Sequence, residues 1–306
     1  MIKAAVDVGS NSVLLIVERA DAQSRKSILE RSWVTGLGTG TKSTGLLEED
    51  AMERTLGAVR EAFSLAHAAG ADSVVAAATM AARIARNTED FLARATAQST
   101  PIYVLPGDEE ARLGFLAVAN DPAFLSRNRI TIVDVGGQST EIATALRDGS
   151  GWKEEFRKSF SIGTLGLKST SLRAECPTGA ELLQAVVEID DVLGICYRRG
   201  ACGDAIALGA TGTNLVSLRE KLVEWDPERV HGQWLEFGEI SQSVSYLYGM
   251  SEARRALLPG MEEGRGPTLP GGALILERCL DAIGAPGCYV SVRGWRHALL
   301  DREFEG

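Results

Sequence analysis

Ile132-Val133-Asp134-Val135-Gly136-Gly137-Gln138-Ser139-Thr140-Glu141-Ile142 lies over Ala5-Val6-Asp7-Val8-Gly9-Ser10-Asn11-Ser12-Val13-Leu14-Leu15 at a constant offset of 127 positions. Asp134 falls on Asp7, Gly136 on Gly9, Gln138 on Asn11 and Ser139 on Ser12. Each stretch is an apolar run, an Asp, a turn of small residues and a second apolar run, which is the pattern of a β-hairpin. A hairpin that returns at fixed spacing predicts two related domains. The Asn120-Asp121-Pro122 turn signal places them at residues 1–121 and 122–306, with the last helix expected to pack back on the first domain.

Outward from the two hairpins the pattern alternates. Residues 35–45 are glycine-rich without periodicity and read as a flexible loop. From Glu48 to Gly70, Met52, Leu56, Val59, Phe63 and Ala66 recur at threes and fours, the stripe of a core helix. Strands are predicted over residues 73–78 and 102–105, and helices over 90–98 and from Asp108 onward. The second half carries strand candidates at 156–162, 205–210 and 288–292, and helices at 180–197, 240–249 and 271–283. Mixed strands and helices in this order predict an α/β fold.

The chain has 306 residues, of which 45% are apolar and 24% charged, enough for two sizeable cores. With 32 Lys and Arg against 41 Asp and Glu, the net charge is −9, so binding DNA through a coat of positive charge is not expected. The five cysteines (Cys176, Cys196, Cys202, Cys279, Cys288) form no CxxC pair and read as reduced thiols, with Cys196 and Cys202 buried. The three histidines (His67, His231, His297) are too far apart for a zinc site. The opening apolar run breaks at Gly9 and no run of about 18 apolar residues follows, so neither a signal peptide nor a membrane span is expected. A cytoplasmic protein is the expectation.

The chemistry starts from the turns. Small residues after a strand let backbone N–H groups approach an anion closely. Asp7 and Asp134 would repel bare phosphate, so their placement makes sense with a divalent cation bridging carboxylate and phosphate oxygens. A third turn, Leu208-Gly209-Ala210-Thr211-Gly212-Thr213-Asn214, also follows a strand. Any one such turn has an ordinary reading as a plain hairpin or Asx-turn; three together favour a phosphate site. Neither GxxxxGK[ST] nor a strand-borne GxGxxG is present. Dipole and capping effects account for Asp108 and Glu109 at a helix start, while Glu110 has the further reading of a base that orients water. Arg83, after a buried strand, reads either as a surface residue or as a phosphate clamp.

These segments resemble the exopolyphosphatase / guanosine pentaphosphate phosphohydrolase (Ppx/GppA) family. The resemblance is carried by residues 7–12, Thr44-Gly45-Leu46-Leu47-Glu48-Glu49, Ala78-Thr79 with Arg83, Gly107-Asp108-Glu109-Glu110-Ala111-Arg112 and residues 133–141. It continues through the Gly209–Thr213 turn, Gly271–Leu276 and Val290–Arg296, so it covers nearly the whole chain. It implies an actin-like (ASKHA) architecture of two duplicated RNase-H-like domains with an interdomain active-site cleft. It also implies hydrolysis of a terminal phosphoanhydride with Mg²⁺, or Mn²⁺ as a substitute. Carried over, Glu110 activates water, Asp134 and Glu141 form the acidic pair at the metal with Asp7, and Arg83 grips phosphate. Ser10, Asn11, Ser12, Gly136, Gly137, Gln138, Ser139, Gly209 and Thr211 cradle the substrate.

Three departures stand out. Gln138 occupies the place of a family glycine, Gly36-Leu37-Gly38 stands for the commoner Arg-Leu-Gly, and Met80-Ala81-Ala82 follows Thr79 where Ser/Asn-x-Leu is commoner. The length is that of a short two-domain form without the larger members' extension. The expected activity is exopolyphosphatase, with three alternatives: a guanosine pentaphosphate (pppGpp) 5′-phosphohydrolase, a polyphosphate or alarmone sensor, and an ASKHA kinase. The expected partners are inorganic polyphosphate or pppGpp and, by resemblance, a second copy of the chain, with no DNA and no membrane.

Overall fold

In a computed structural model, which describes residues 1–21, 25–149, 151–194 and 202–305, the repeat reappears as two sheets that share a five-strand pairing pattern, the second sheet carrying a sixth strand. The chain divides into two units, Met1–Leu113 with Trp295–Gly306, and Gly114–Gly294.

The first unit opens with β1 (Ile2–Val8), β2 (Ser12–Ala20) and β3 (Arg25–Val34), then α1 (Thr41–Thr44), α2 (Glu49–Ala68) and β4 (Ser73–Ala78). It continues through α3 (Met80–Ile84), α4 (Thr88–Ala97), β5 (Tyr103–Val104) and the start of α5 (Gly107–Ala119). Its sheet runs β3-β2-β1-β4-β5, with β1, β2 and β3 antiparallel and β1, β4 and β5 parallel.

The second unit holds β6 (Arg129–Val135), β7 (Thr140–Asp148), β8 (Gly151–Phe160), α6 (Thr164–Ser169), α7 (Gly179–Leu193), β9 (Asp204–Leu208) and α8 (Gly209–Glu220). After these come α9 (Pro227–Val230), β10 (Trp234–Glu236), α10 (Phe237–Tyr248), α11 (Glu252–Arg255), α12 (Leu269–Ile283) and β11 (Gly287–Val290). Its sheet runs β8-β7-β6-β9-β11-β10, so β8-β7-β6-β9-β11 repeats the pairing pattern of β3-β2-β1-β4-β5.

The correspondence extends to single hydrogen bonds. Gly9 N–H donates to the Ser12 carbonyl at 2.9 Å, and Gly136 N–H to the Ser139 carbonyl at 2.9 Å. Asp7 stands opposite Leu14 as Asp134 stands opposite Glu141. The bulge between Val17 and Glu18 recurs between Thr144 and Ala145, again 127 positions on. A bulge is a local interruption of the ladder that bends the strand, so its recurrence at one register supports descent from a common unit.

In the first unit, α2 lays Met52, Leu56, Val59, Phe63 and Ala66 on a core that includes Val6, Val8, Leu15 and Phe91. Each large apolar side chain buried this way contributes roughly 1.5–3 kcal/mol relative to exposure. The final helix, α13 (Trp295–Glu305), belongs to this same unit and packs on β1 and β2. Lys3 bonds to the Glu303 carbonyl, Arg25 pairs with Asp301, and both cations lie over the Phe304 ring. In the second unit α12 is apolar nearly all round, burying Leu274, Ile275, Leu276, Cys279, Leu280 and Ile283 against neighbours that include α7, α8 and α10.

Several boundaries differ from expectation for local reasons. The glycine-rich loop contains the one-turn helix α1, flanked by Gly40 and Gly45 with positive φ. The strand expected at 205–210 ends at Leu208, because Gly209 turns to φ +74 and opens α8. Helix α7 runs over Gly179–Leu193, with Gly194 at φ +51 as its C-cap, and residues 195–197 of the expected span, Cys196 among them, lie outside the described residues. Cys202, Cys279 and Cys288 are buried and Cys176 is exposed. Burial pushes the Cys279 and Cys288 thiols up to about 12, which keeps them unreactive. Among the described residues no helix is long and apolar enough to cross a membrane.

Candidate active site

In the first unit the site residues sit on the turn after β1 and on helices α3 and α5. The Ser10 hydroxyl accepts a hydrogen bond from the Ala81 N–H at 3.1 Å, fixing the turn to the first turn of α3. The glycine-rich loop is held to the same turn. Thr35 and Gly36 N–H donate to the Asn11 carbonyl, both at 3.0 Å, and Gly38 N–H donates to the Ser10 carbonyl at 2.7 Å. The start of the loop is therefore tied to the turn by three backbone hydrogen bonds rather than left flexible.

Arg83, near the end of α3, reaches across to α5. Its Nη1 donates to Glu110 Oε2 at 2.6 Å and to the Leu105 carbonyl at 2.7 Å. Both side chains are largely buried, at 16% and 11% exposure, so this charge-assisted bond fixes the orientation of the carboxylate. Glu109, by contrast, is spent on Arg112 at 2.7 Å and Arg302 at 3.2 Å, the surface role expected of an acid in a first turn. Several buried donors are left over, Thr35 Oγ1 and Thr41 Oγ1 of the glycine-rich segment among them. Arg83 Nη2, Asn11 Nδ2 and Ser12 Oγ have no hydrogen-bond partner among the described residues. A buried donor without a partner costs about 1–3 kcal/mol, a cost that an anionic ligand oxygen removes.

In the second unit Asp134 and Glu141 are directly opposed on β6 and β7, so their side chains share a face with Cβ atoms ~4.5–5.5 Å apart. Glu141 is 3% exposed and accepts a hydrogen bond from the Ser159 hydroxyl at 2.6 Å. A Cβ placed on Gly209 would stand 2.8 Å from Asp134 Oδ1, so the backbone that opens α8 lies against that carboxylate. Helix α8 has no side-chain cap from Leu208, and the first N–H groups of a helix have no partner within the helix itself. Thr211, on the next residues of α8, is buried, and Gly272 of α12 makes room for its hydroxyl: a Cβ there would lie 2.5 Å from Thr211 Oγ1.

The turn at Gly136, Gly137, Gln138 and Ser139 is clamped from outside. Thr164 N–H donates to the Gly136 carbonyl at 3.1 Å and Leu165 N–H to the Gly137 carbonyl at 2.8 Å. Gly163 allows this approach, since a Cβ on it would fall 2.5 Å from Gln138 N and from Gly137 C. Gly163 and Ser159 escaped the reading from sequence, and Gly272 entered it only within the Gly271–Leu276 stretch, without a role of its own. For Ser159 a signal existed: it stands 127 positions after Ser32, extending the repeat into the third strand.

Comparison with known proteins decides the family. The profile of the Ppx/GppA phosphatase family matches residues 16–305. The chain belongs to the Ppx/GppA phosphatase family. It is 29% identical to the crystallised Ppx/GppA family member of Aquifex aeolicus, with a TM-score of 0.80, covering 100% of this chain and 98% of that one. It is 25% identical to exopolyphosphatase 1 of Mycobacterium tuberculosis over 307 residues, covering 98% of this chain and 87% of that protein. To exopolyphosphatase 2 of the same organism it is 27% identical over 289 residues, covering 90% and 88%. Ppx/GppA phosphatases are phosphoanhydride hydrolases, and the two mixed sheets follow the fold of the crystallised Aquifex aeolicus family member.

The metal that a Ppx/GppA phosphatase implies can be tested against the donors present. Among the described residues no cluster of three His, Cys, Asp or Glu side chains could hold an ion by itself. Mg²⁺ does not require one, because it is typically held by one or two carboxylates together with water and substrate phosphates. Asp134 and Glu141, two hard oxygen donors on one face, fit that demand. Asp7 lies in the other unit, where the residue opposite it is Leu14 rather than an acid.

The clamp on the Gly136 turn carries its own expected result. Gly163→Ala should push the turn out of place, lowering kcat by about 10²-fold, as ~1 Å misplacements in an active site do. The fold should persist, because the φ of Gly163 (−161°) is extended backbone open to any residue. Steady-state kinetics alongside a melting curve check this, and unchanged kinetics would show that the turn yields without consequence.

Proposed function

We propose that this Ppx/GppA phosphatase is a Mg²⁺-dependent exopolyphosphatase that releases orthophosphate from the ends of inorganic polyphosphate. The observation carrying this reading is the Arg83–Glu110 pair, an oriented, largely buried carboxylate beside a guanidinium nitrogen that still lacks an acceptor. Phosphoryl transfer depends on positioning and charge neutralisation more than on covalent chemistry, and this pair offers both.

The Glu110 carboxylate, held at Oε2 by Arg83, orients a water and takes its proton as the water oxygen bonds to the terminal phosphorus. The bridging P–O bond breaks and the shortened chain leaves with the bridging oxygen. Within the first unit the Arg83 fork, the Asn11 amide and the Ser12 hydroxyl donate to phosphate oxygens, and within the second the N–H groups of the Gly136–Ser139 turn and of the start of α8 are donors of the same kind. Asp134 and Glu141 would hold Mg²⁺, which when bound neutralises phosphate charge. Gln138 sets a buried side chain where the family commonly has glycine, and it narrows the choice of phosphate species at that turn.

The test is orthophosphate release from long-chain polyphosphate, tripolyphosphate and pppGpp, each with Mg²⁺ and with chelator. Polyphosphate should be the best substrate, with release falling below about 1% under chelation, as expected where a metal supplies several kcal/mol. Metal-independent release would remove Mg²⁺ from the reading. Cleavage of pppGpp alone would reassign the substrate, and binding without release from any of them would indicate a sensor.

A further inference from the structure

Asp134, Glu141 and Ser159 form one row across three neighbouring strands, each residue directly opposite the next on β6, β7 and β8. The Ser159 hydroxyl reaches along this row to Glu141 Oε1 at 2.6 Å. A glutamate side chain has several rotatable bonds, and nothing in its strand position alone decides where its two oxygens point. A charge-assisted hydrogen bond from a hydroxyl on the adjacent strand engages Oε1 and restricts how the carboxylate can turn.

The first unit provides the comparison. Its equivalent row is Asp7, Leu14 and Ser32, with Ser32 opposite Leu14. There the serine faces an aliphatic side chain, and the strands pair in the same register. Strand pairing therefore does not need the hydroxyl–carboxylate bond, and in the second unit the bond serves the carboxylate.

We propose that Ser159 is a positioning residue, which aims the Glu141 carboxylate for the phosphatase reaction by holding Oε1. The inference rests on the reading of Glu141 as one of the acidic pair. It assigns Ser159 no contact with the substrate.

The test compares Ser159→Ala, Ser159→Thr and Glu141→Gln with the wild-type chain in two measurements. The first is tripolyphosphate hydrolysis resolved into kcat and KM. The second is Mn²⁺ binding in the presence of imidodiphosphate, read from loss of the free-ion paramagnetic resonance signal. Ser159→Ala should lower kcat about 10-fold with KM nearly unchanged and weaken Mn²⁺ binding by a similar factor, the range seen when a hydrogen bond behind a metal-binding group is removed. Ser159→Thr, which keeps the hydroxyl, should restore both. If Glu141→Gln is inactive while Ser159→Ala matches wild type in both measurements, the Ser159 inference alone fails. It fails too if Ser159→Thr is as impaired as Ser159→Ala. A fully active Glu141→Gln would instead overturn the acidic pair itself.

Discussion

Glu110→Gln is expected to lower kcat for phosphate release by about 10²–10⁴-fold, the usual contribution of a positioned general base. The amide keeps the size and can still accept from Arg83 Nη1, but it cannot take a proton from water. The stability cost should be small by comparison. The ion pair at 2.6 Å becomes a hydrogen bond from the Arg83 cation to a neutral amide, and the largely buried guanidinium loses its counter-charge, a cost of about 1–3 kcal/mol or several degrees in melting temperature. A melting curve therefore separates the two effects. An enzyme that melts like wild type and retains a tenth or more of its activity would remove Glu110 from the role of base.

Asp134→Asn should come close to this in size, with kcat falling about 10²–10³-fold and the response to added Mg²⁺ flattened, since a neutral amide is a much poorer ligand for a hard cation. Here, too, the fold should hold. Asp134 lies against the opening of α8, and losing its charge beside a helix N-terminus costs roughly 0.3–1 kcal/mol. The check is phosphate release as a function of Mg²⁺ concentration. A variant with wild-type dependence would show that the cation is held elsewhere.

Local features of this fold could be read from the residues. The β1–β2 and β6–β7 hairpins, the stripe of α2 and the small-residue turns all lie within short windows, where apolar spacing and glycine dictate conformation. What depended on distant pairing could not be read. Arg83 and Glu110 are 27 residues apart, and only the parallel pairing of β4 with β5 brings α3 beside the start of α5. Gly163 and Gly272 matter because of what approaches them from elsewhere in the second unit. Strand β3 was missed because it is an edge strand, mostly exposed and rich in charge, without the alternation of a half-buried strand.

The Asn120-Asp121-Pro122 signal is a real turn with a local use. Asp121 accepts from the Ala123 N–H at 3.0 Å and pairs with His231 at 3.3 Å, all inside the second unit, while the chain divides earlier, at Leu113 and Gly114. Turn chemistry marks a change of direction, and only the pattern of packing decides which core a segment joins.

The origin of α13 has a consequence for how the protein is made. The β1–β5 sheet is complete once Val104 has been synthesised, yet the helix that covers β1 and β2 starts at Trp295. At ~5–20 residues per second, a ribosome takes on the order of 10–40 s to cover that interval. During that time the sheet lacks its covering helix, while the whole of Gly114–Gly294 emerges and can fold. Of the two units, the one whose strands are made first is thus completed only after the other has emerged, and until then the face of β1 and β2 that α13 covers stays open on the nascent chain.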